Sequence, residues 1–337
     1  MLETGAKSLT PTLWIRTAAG PKTGFGHVRR TCVLARVLRN RCTPLFLLNP
    51  DDSSSRKLIE DEHFACSPFT DQLWTGATPA AILIDTRDTS GLQRFIARAK
   101  DLAVPVISIH DLGLELLPSD IIIDGSVAPP PRDRFPHGTR YYSGPDYMVL
   151  DPLYGRLHQR PREIRNNIQS VFINFGGGDS AKYYETVLLG LKLWNKSIDV
   201  TGTPGFVQWG QESLKARDWR PMNFHWESEN PHDHLFEADI AITAGGISGY
   251  EALCAGTPLL ALSYDSLQQI TIEKLSAVGA CIDLGFGDTL NPECLASVLS
   301  DLDHDQSRRR NLSTCGRLLV DGRGAERVAR IIRRTLL

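Results

Sequence analysis

The stretch "TGFGHVRR", residues 23–30, stands between a strand pattern and a helix pattern. The apolar run "TLWIRTAA" before it predicts a buried strand, and "VRRTCVLARVLRN" after it predicts a helix. A helix N-terminus offers free N–H groups and a positive dipole end, and glycines let the backbone approach a phosphate closely. The dinucleotide fingerprint is incomplete, because Arg29 stands where its third glycine would be. A phosphate-facing turn and a tight turn with a surface histidine remain as alternatives.

His27 would lie in the first turn of that helix. The positive end of the helix dipole favours a neutral imidazole there, and a neutral imidazole can accept a proton. The position therefore favours a general base.

Strand and helix patterns alternate along the whole chain. Apolar runs bounded by Gly, Pro, Asp or Asn fit buried parallel strands. They are "TPLFLLN", "AAILIDT", "VPVISIH" and "DIIIDGS", followed by "SVFINFGGG", "SIDVTG", "PMNFHW", "ADIAITAGG", "TPLLALSY" and "ACIDLG". Helical stretches such as "SAKYYETVLLGLKLW" and "PECLASVLSDL" separate them. The alternation predicts an α/β fold with parallel sheets and about five or six strands in each half.

A length of 337 residues suits two domains. The segment Ser126–Asn167 is dense in Pro, Arg and Gly and poor in strand patterns, so we predict the break there. The predicted division is a loose leader (1–11), an N-terminal domain (12–152), a linker (153–167) and a C-terminal domain (168–337), whose last helix is a candidate to pack back on the N-terminal domain. Two doubly wound domains would enclose a cleft at the carboxyl ends of both sheets, where ligands should bind.

Composition excludes several classes of protein. The formal net charge of −2 argues against non-specific nucleic-acid binding, which needs a basic surplus. No apolar run approaches the length of a membrane span, and the N-terminus lacks the order of a signal peptide. The seven cysteines form no CxxC pair, and "HDH" at residues 232–234 fits a helix start better than a metal site. We predict a cytoplasmic protein with no metal site; the oligomeric state is left open.

Two further glycine-rich turns follow strand patterns. Gly176, Gly177 and Gly178 form a triplet after "SVFIN", which would suit a sharp turn or leave room for a substrate. Gly245 and Gly246 close the strand pattern "ADIAI", and Ser248 then falls in a first helical turn, where its hydroxyl and nearby N–H groups can meet a diphosphate. Glu251, one turn further, could hold ribose hydroxyls; alternatively it is an ordinary helix-surface glutamate.

Together these motifs form an ordered set. A G-x-G-H-x-x-R turn, an aspartate in "LIDT", and the stretches "VISIHDL", "GPDYMVL" and "FGGGD" occur in sequence. The set resembles the GT-B superfamily, and within it the UDP-sugar hydrolases of pseudaminic acid biosynthesis and the related spore-coat polysaccharide proteins. The segment "AGGISGYEALCAGTPLLAL" also resembles the nucleotide-binding segment of the lipid-linked N-acetylglucosaminyltransferase of peptidoglycan synthesis. The likeness runs from about Leu13 to about Gly285.

The resemblance implies two Rossmann-like domains and a metal-independent, cofactor-free hydrolysis of a UDP-linked deoxy-amino sugar at the anomeric C–O bond. UDP and free sugar would be released, in bacterial surface-glycan or nonulosonic acid biosynthesis. It implies that His27 activates the water, with Asp85 as a second catalytic residue, and that Ser248 and Glu251 hold the diphosphate and the ribose. The other implied substrate-binding residues are Gly24, Gly26, Arg30, His110, Asp111, Gly176, Gly177, Gly178, Gly245, Gly246, Gln268 and Gln269.

Three positions depart from the family pattern. Arg87 replaces a common aromatic residue, Gln268 and Gln269 replace an asparagine–glutamine pair, and His110 and Asp111 stand where relatives often carry two acidic residues. These positions should face the sugar, so a changed pocket predicts a related sugar or acceptor.

Two alternatives to the hydrolase remain. In a GT-B glycosyltransferase with a UDP-sugar donor, His27 would deprotonate an acceptor hydroxyl instead of water. In a catalytically silent protein, the same site would only bind a nucleotide sugar. A transferase acting on a membrane lipid would be helped by a peripheral apolar and basic patch. Arg29, Arg36, Arg39 and Arg41 are consistent with such a patch, although a solvated helix face explains them as well.

Overall fold

The computed structural model describes residues 10–20, 24–76, 78–110, 117–176, 181–204, 214, 217–227 and 229–336. Within these residues the chain forms two separate parallel β-sheets, one in each half, with helices between the strands.

The first sheet has seven strands in the described part of the chain. They are β1 (Thr12–Thr17), β2 (Thr43–Leu48), β3 (Ala65–Pro68), β4 (Ala81–Asp85), β5 (Val106–His110), β6 (Ile121–Asp124) and β7 (Arg140–Ser143). Their order is β3-β2-β1-β4-β5-β6-β7, and every neighbouring pair is parallel. The chain therefore winds outward from β1 in both directions, as in a doubly wound fold.

The second sheet repeats this pattern with six strands among the described residues. They are β8 (Ser170–Asn174), β9 (Asp199–Gly202), β10 (Asn223–Trp226), β11 (Ile240–Ala244), β12 (Leu259–Ser263) and β13 (Cys281–Phe286). Their order is β10-β9-β8-β11-β12-β13, again parallel throughout. The prediction of an α/β protein with two Rossmann-like sheets is confirmed.

The α-helices in the described ranges follow the same alternation. They are α1 (Gly26–Leu38), α2 (Ser53–Asp61), α3 (Leu92–Asp101), α4 (Pro152–Gln159), α5 (Ala181–Trp194), α6 (Pro231–Glu237), α7 (Ile247–Ala255), α8 (Ser266–Ala277), α9 (Pro292–His304), α10 (Gln306–Leu319) and α11 (Gly324–Thr335). Every strand predicted from an apolar run is present, and so are the helices quoted from the sequence.

The sequence patterns missed β3 and β7, the two edge strands of the first sheet. Both are partly exposed, whereas the central strand β4 is buried along its whole length. An edge strand need not be a continuous apolar run, because only part of it is covered. β7 lies inside the segment 126–167, in which no strand was predicted, so the sequence pattern failed to predict this strand.

The segment predicted as a linker contains a packed helix. Tyr154 and Leu157 of α4 are buried in one hydrophobic cluster with Leu253 of α7. The Cys254 thiol also donates a hydrogen bond to the carbonyl of Tyr154, at 3.5 Å. Most of α4 therefore packs on the second half, and the domain boundaries themselves stay a prediction.

The last helix, α11, lies against the first half of the chain. Val328 and Ile332 are fully buried in the cluster that holds Leu13, Val28 and Leu34. Apolar residues recur on one face of α11 and arginines on the other, which is the pattern of a helix that covers a core. The C-terminus thus completes the core around β1 and α1.

Candidate functional site

The turn between β1 and α1 has the predicted strand–turn–helix form. Gly24 has a φ of +66°, which favours glycine, and its N–H donates to the carbonyl of Gly20 at 2.7 Å. The helix begins at Gly26 and its N-terminus has no side-chain cap. Its first N–H groups therefore have no capping oxygen from the adjacent side chain, and His27 lies in its first turn.

His27 is paired with Asp85, the last residue of the central strand β4. The Nδ1 atom of His27 lies 2.7 Å from Oδ1 of Asp85. Both side chains are buried, and Asp85 has no exposed surface. Because a carboxylate can only accept, Nδ1 carries the proton and donates it, which leaves Nε2 as the basic nitrogen. The fold thus sets the tautomer that a general base needs.

Arg30 completes this cluster one helical turn after His27. Its Nε donates to Oδ2 of Asp85 and its Nη2 to Oδ1, each at 2.7 Å. Burial by itself raises the pKa of Asp85, but the charges of Arg30 and His27 outweigh burial and lower that pKa to about 2. Asp85 is therefore ionised at neutral pH. Arg30 lies against this carboxylate, and its contact with substrate stays a prediction.

His110 ends β5, the strand next to β4. Its Nε2 lies 3.0 Å from the hydroxyl of Ser108, and its ring is buried. Burial lowers the pKa of His110 to about 4; Asp85 opposes this shift and Arg30 adds to it. His110 is therefore neutral at pH 7. Asp111 lies outside the described residues.

The glycines before α7 differ from each other in their surroundings. A Cβ on Gly245 would lie 3.0 Å from the side chain of Ile272 and 3.1 Å from Gln268 Cβ, so this glycine allows α8 to pack closely. A Cβ on Gly246 would meet no atom of the described residues within 4 Å. Gly246 is also the N-cap residue of α7, without a side-chain cap, and Ser248 lies half-buried in the first turn. Gly246 therefore borders open space at an uncapped helix end.

Gln268 and Gln269 are both engaged within the second half. The side-chain oxygen Oε1 of Gln268 accepts a hydrogen bond from the backbone N–H of Tyr264 at 3.1 Å. Gln269 accepts from the hydroxyl of Ser263 at 2.7 Å and donates to Asp283 at 2.8 Å. Gln268 lies beside Gly245. Gln269 could contact a ligand only if it gave up its hydrogen bond with Ser263 or with Asp283. Their substrate contacts stay predictions.

Glu251 lies on α7 where the two halves meet. Tyr154 hydrogen-bonds its half-buried carboxyl group, and Arg29 of α1 is a nearby positive charge. Burial raises the pKa of Glu251 to about 7, although Arg29 and Tyr154 act to lower it. The sequence did not point to Tyr154, because this residue falls in the segment predicted as a linker (153–167). Only the fold brings it to Glu251.

The N-termini of α1 and α7 face each other across the two halves. A Cβ on Gly26 would lie only 3.2 Å from Cδ1 of Ile247. Beside this contact, the N–H of Val127 donates to the Tyr250 hydroxyl at 2.9 Å. The His27–Asp85 pair and the open N-terminus at Gly246 are therefore neighbours, as two facing sheets require.

The glycine triplet is only partly described. Gly176 has a φ of +76°, a conformation that favours glycine, and a Cβ there would meet no atom of the described residues within 4 Å. Gly177 and Gly178 lie outside the described residues.

A cavity of about 1060 Å³ lies away from these groups and is lined by residues 161–167 and by α10. Two of its arginines contact other parts of the chain: Arg165 pairs with Asp239, and Arg317 donates to the carbonyls of His158 and Arg160. These contacts join the segment between the two sheets to the second half.

In the described part of the chain, no three His, Cys, Asp or Glu side chains converge as a metal site would require. Nor does any helix there have the length and apolar character needed to cross a bilayer.

Comparison with known proteins places this architecture in a class. No protein-family model matches the sequence. Acinetobacter baumannii MurG has a similar fold, with a TM-score of 0.69 and 14% identity, over 96% of this chain and 99% of MurG. The calicheamicin glycosyltransferase CalG4 follows with a TM-score of 0.66 and 13% identity, over 97% and 98% of the two chains. The chain therefore has the GT-B fold: two Rossmann-like sheets that face each other.

The sequence is also similar to those of two other proteins, one of which is named for a role in polysaccharide biosynthesis. It is 29% identical over 330 residues to the spore coat polysaccharide biosynthesis protein SpsG of Bacillus subtilis, covering 93% of this chain and 95% of SpsG. An uncharacterized Methanocaldococcus jannaschii protein, MJ1062, is 25% identical over 278 residues, which are 76% of this chain and 56% of that protein. Within the GT-B class, this sequence is therefore similar to that of SpsG.

Proposed function

We propose that this protein is a glycosyltransferase that moves a sugar from a UDP-sugar donor to an acceptor hydroxyl during polysaccharide biosynthesis. One observation carries the proposal: the buried His27–Asp85 pair lies at the N-terminus of α1, opposite the open N-terminus of α7. Two proteins of similar fold support it: CalG4 is a glycosyltransferase, which favours transfer, and Anabaena Alr3699/HepE (TM-score 0.58) is in complex with UDP-glucose, which favours a UDP-sugar donor. The name of SpsG supports the process.

In this reaction Nε2 of His27 takes the proton of the acceptor hydroxyl. The acceptor oxygen forms a bond to the anomeric carbon as the bond from that carbon to the diphosphate breaks, and UDP leaves with the electron pair. Asp85 stabilises the imidazolium that results. General-base catalysis of this kind contributes about 10²- to 10⁴-fold in rate. A single displacement inverts the anomeric configuration.

The departing diphosphate would lie at the N-terminus of α7. Its charge is stabilised there by backbone N–H groups, by the positive end of the helix dipole and by the hydroxyl of Ser248. The open space at Gly246 leaves room for phosphate oxygens. These groups can replace a divalent cation, so we propose that the reaction needs no metal. Glu251, further along the same helix, would accept hydrogen bonds from the ribose.

Hydrolysis is the second candidate. The G-x-G-H-x-x-R turn, with His27 and Arg30 one helical turn apart, resembles that of the UDP-sugar hydrolases, and the same Nε2 can deprotonate a water. The two reactions then share donor site and base and differ only in the nucleophile.

Phosphorus NMR on the full chain with a panel of UDP-sugars distinguishes these reactions. Transfer predicts UDP release that depends on an added acceptor, whereas hydrolysis predicts the same release rate without one. Binding without release of UDP under either condition would contradict both and indicate a silent binding protein. His27→Asn serves as the control for contaminating activity.

A further inference from the structure

We propose that Arg30 is a positioning residue: it holds the Asp85 carboxylate in the orientation that fixes His27, and it acts on the reaction through Asp85 rather than by binding substrate. The inference rests on the proposed function, because it assumes that His27 is the base.

The geometry of the ion pair carries the argument. Both oxygens of Asp85 accept a hydrogen bond from Arg30, from Nε at 2.7 Å and from Nη2 at 2.7 Å. Two parallel bonds from a planar guanidinium fix the plane of a carboxylate as well as its position. Oδ1 then points at Nδ1 of His27, also at 2.7 Å. A single ammonium group could supply the charge but not this fixed plane.

The two side chains that contact Asp85 both come from α1. His27 and Arg30 are three residues apart, so their side chains lie on the same face of the helix and meet Asp85 together. Arg30 is 3% exposed and Asp85 is 0% exposed. A guanidinium buried this deeply against a buried carboxylate is poorly suited to meet a soluble phosphate. The same contact keeps Asp85 ionised in a site where burial would otherwise favour its neutral form.

Arg30 also limits the negative charge that His27 faces. Its Nη2 lies 3.3 Å from Nδ1 of His27, so a cation accompanies the carboxylate beside the ring. Removal of the guanidinium leaves Asp85 with its full charge against His27. We therefore expect the acidic limb of the pH–rate profile to move to higher pH in Arg30→Met.

A double-mutant cycle with Asp85 tests whether Arg30 acts through it. Arg30→Met alone should lower kcat by about tenfold to a hundredfold, less than loss of the base itself because His27 is still present, and leave the Kd for UDP within about twofold. In an Asp85→Asn background, Arg30→Met should lower kcat no further. Losses that multiply, or a Kd for UDP that rises with Arg30→Met alone, would overturn the proposal and return Arg30 to the substrate site.

A measurement without turnover separates this inference from the proposed function. The Nδ1–H proton of His27, followed by ¹⁵N-edited NMR of the ligand-free protein, should shift or broaden in Arg30→Lys. That variant keeps the charge and so guards against misfolding of Arg30→Met. The signal should stay in place in Arg41→Met, an exposed arginine after the end of α1. An unchanged signal in Arg30→Lys would refute the positioning role. If His27→Asn leaves kcat unchanged, the proposed function fails instead, whatever the Arg30→Lys signal shows.

Discussion

At the scale of single residues, the candidate site combines two carboxyl groups that differ in pKa: one is ionised at neutral pH, and the other has a pKa near 7. Asp85 is surrounded by two partners that offset its burial, so its pKa falls to about 2. Glu251 has weaker compensation, and burial raises its pKa to about 7. The two groups suit different tasks, because one is a fixed partner for His27 and the other can exchange its contacts for a ligand.

Replacing His27 tests the base directly. His27→Asn should lower the rate of sugar release by about a hundredfold to ten-thousandfold, the usual contribution of a positioned general base. The Kd for UDP should stay nearly unchanged, because the nucleotide would be held by the other half. Steady-state kinetics and calorimetry give the two values. His63→Asn, at an exposed histidine, is the matched control; lost UDP binding with unchanged turnover of bound substrate would make His27 a ligand clamp.

The raised pKa of Glu251 predicts a pH dependence of nucleotide binding. A carboxylate accepts hydrogen bonds from both ribose hydroxyls, whereas a carboxyl group has lost part of that capacity. Because the pKa is about 7, UDP affinity should be lower at pH 6 and rise as the pH is raised to 8. Calorimetry across that range measures this rise.

Two controls isolate the contribution of Glu251. Glu251→Gln should bind more weakly at pH 8 and lose this part of the dependence. Dideoxy-UDP carries the same diphosphate without ribose hydroxyls, so it subtracts the titration of the ligand itself. Equal pH dependence for UDP and dideoxy-UDP would remove Glu251 from the ribose site.

At the scale of elements, two helix N-termini of opposite halves form the centre of the site. In neither α1 nor α7 does the N-cap side chain bond the first turn, so each helix N-terminus offers N–H donors and a positive dipole end. The adjacent glycines before α7 have distinct roles: Gly245 allows close packing and Gly246 borders open space. The first serves the packing of α8, and the second is where we propose that the diphosphate binds.

Alanine at these two glycines should therefore give opposite results. Gly245→Ala should destabilise the fold by about 1 to 3 kcal/mol, because its methyl group would press on Ile272 and Gln268. Gly246→Ala should cost less than about 1 kcal/mol of stability, the scale of a cap change, but weaken UDP binding about tenfold or more, since the methyl group occupies the space for phosphate. Denaturant unfolding and calorimetry measure each. Normal UDP affinity in Gly246→Ala would move the diphosphate elsewhere.

The helix termini also predict how the reaction responds to chelators. Because backbone N–H groups and the dipole can stabilise the leaving diphosphate, turnover should be unchanged after dialysis against excess EDTA. The measurement is the initial rate of UDP release before and after dialysis. A loss of rate that Mg²⁺ restores would show that a cation takes part.

At the scale of the whole molecule, the C-terminal helix is part of the first hydrophobic core. Ile332 of α11 is fully buried beside Val28 and Leu34 of α1, although the chain reaches it only after completing the second sheet. The helix that carries His27 is thus supported on one side by the last helix. Both halves of the chain contribute to one site and to one core.

Truncation of Ile332 should accordingly destabilise the first half. Ile332→Ala should cost about 2 to 5 kcal/mol, the range for a large-to-small change in a core, and denaturant unfolding measures it. Arg333→Ala, next to it on the exposed face, is the control and should change stability by less than about 0.5 kcal/mol. Equal, small effects of both would mean that α11 contributes little to this core.

The elements and their order follow from local sequence patterns. Apolar runs and glycines are local features, so they predicted the strand from Thr12, the turn at Gly24 and Gly26 and the helix that carries His27. They also predicted that these elements wind into two parallel sheets, because buried parallel strands need continuous apolar runs. Edge strands such as β3 were not predicted, because a strand that is only partly covered can lack a continuous apolar run.

Which side chains contact each other depends on the tertiary fold and could not be predicted from local patterns. Arg30 and Asp85 are distant in sequence, and nothing in the local pattern distinguishes an arginine that binds phosphate from one that holds a buried carboxylate. The contacts of Tyr154 with Glu251 and of α11 with α1 likewise join residues far apart along the chain. Periodicity reports how a segment faces a core, but the partner on the other side depends on the packing of the whole molecule.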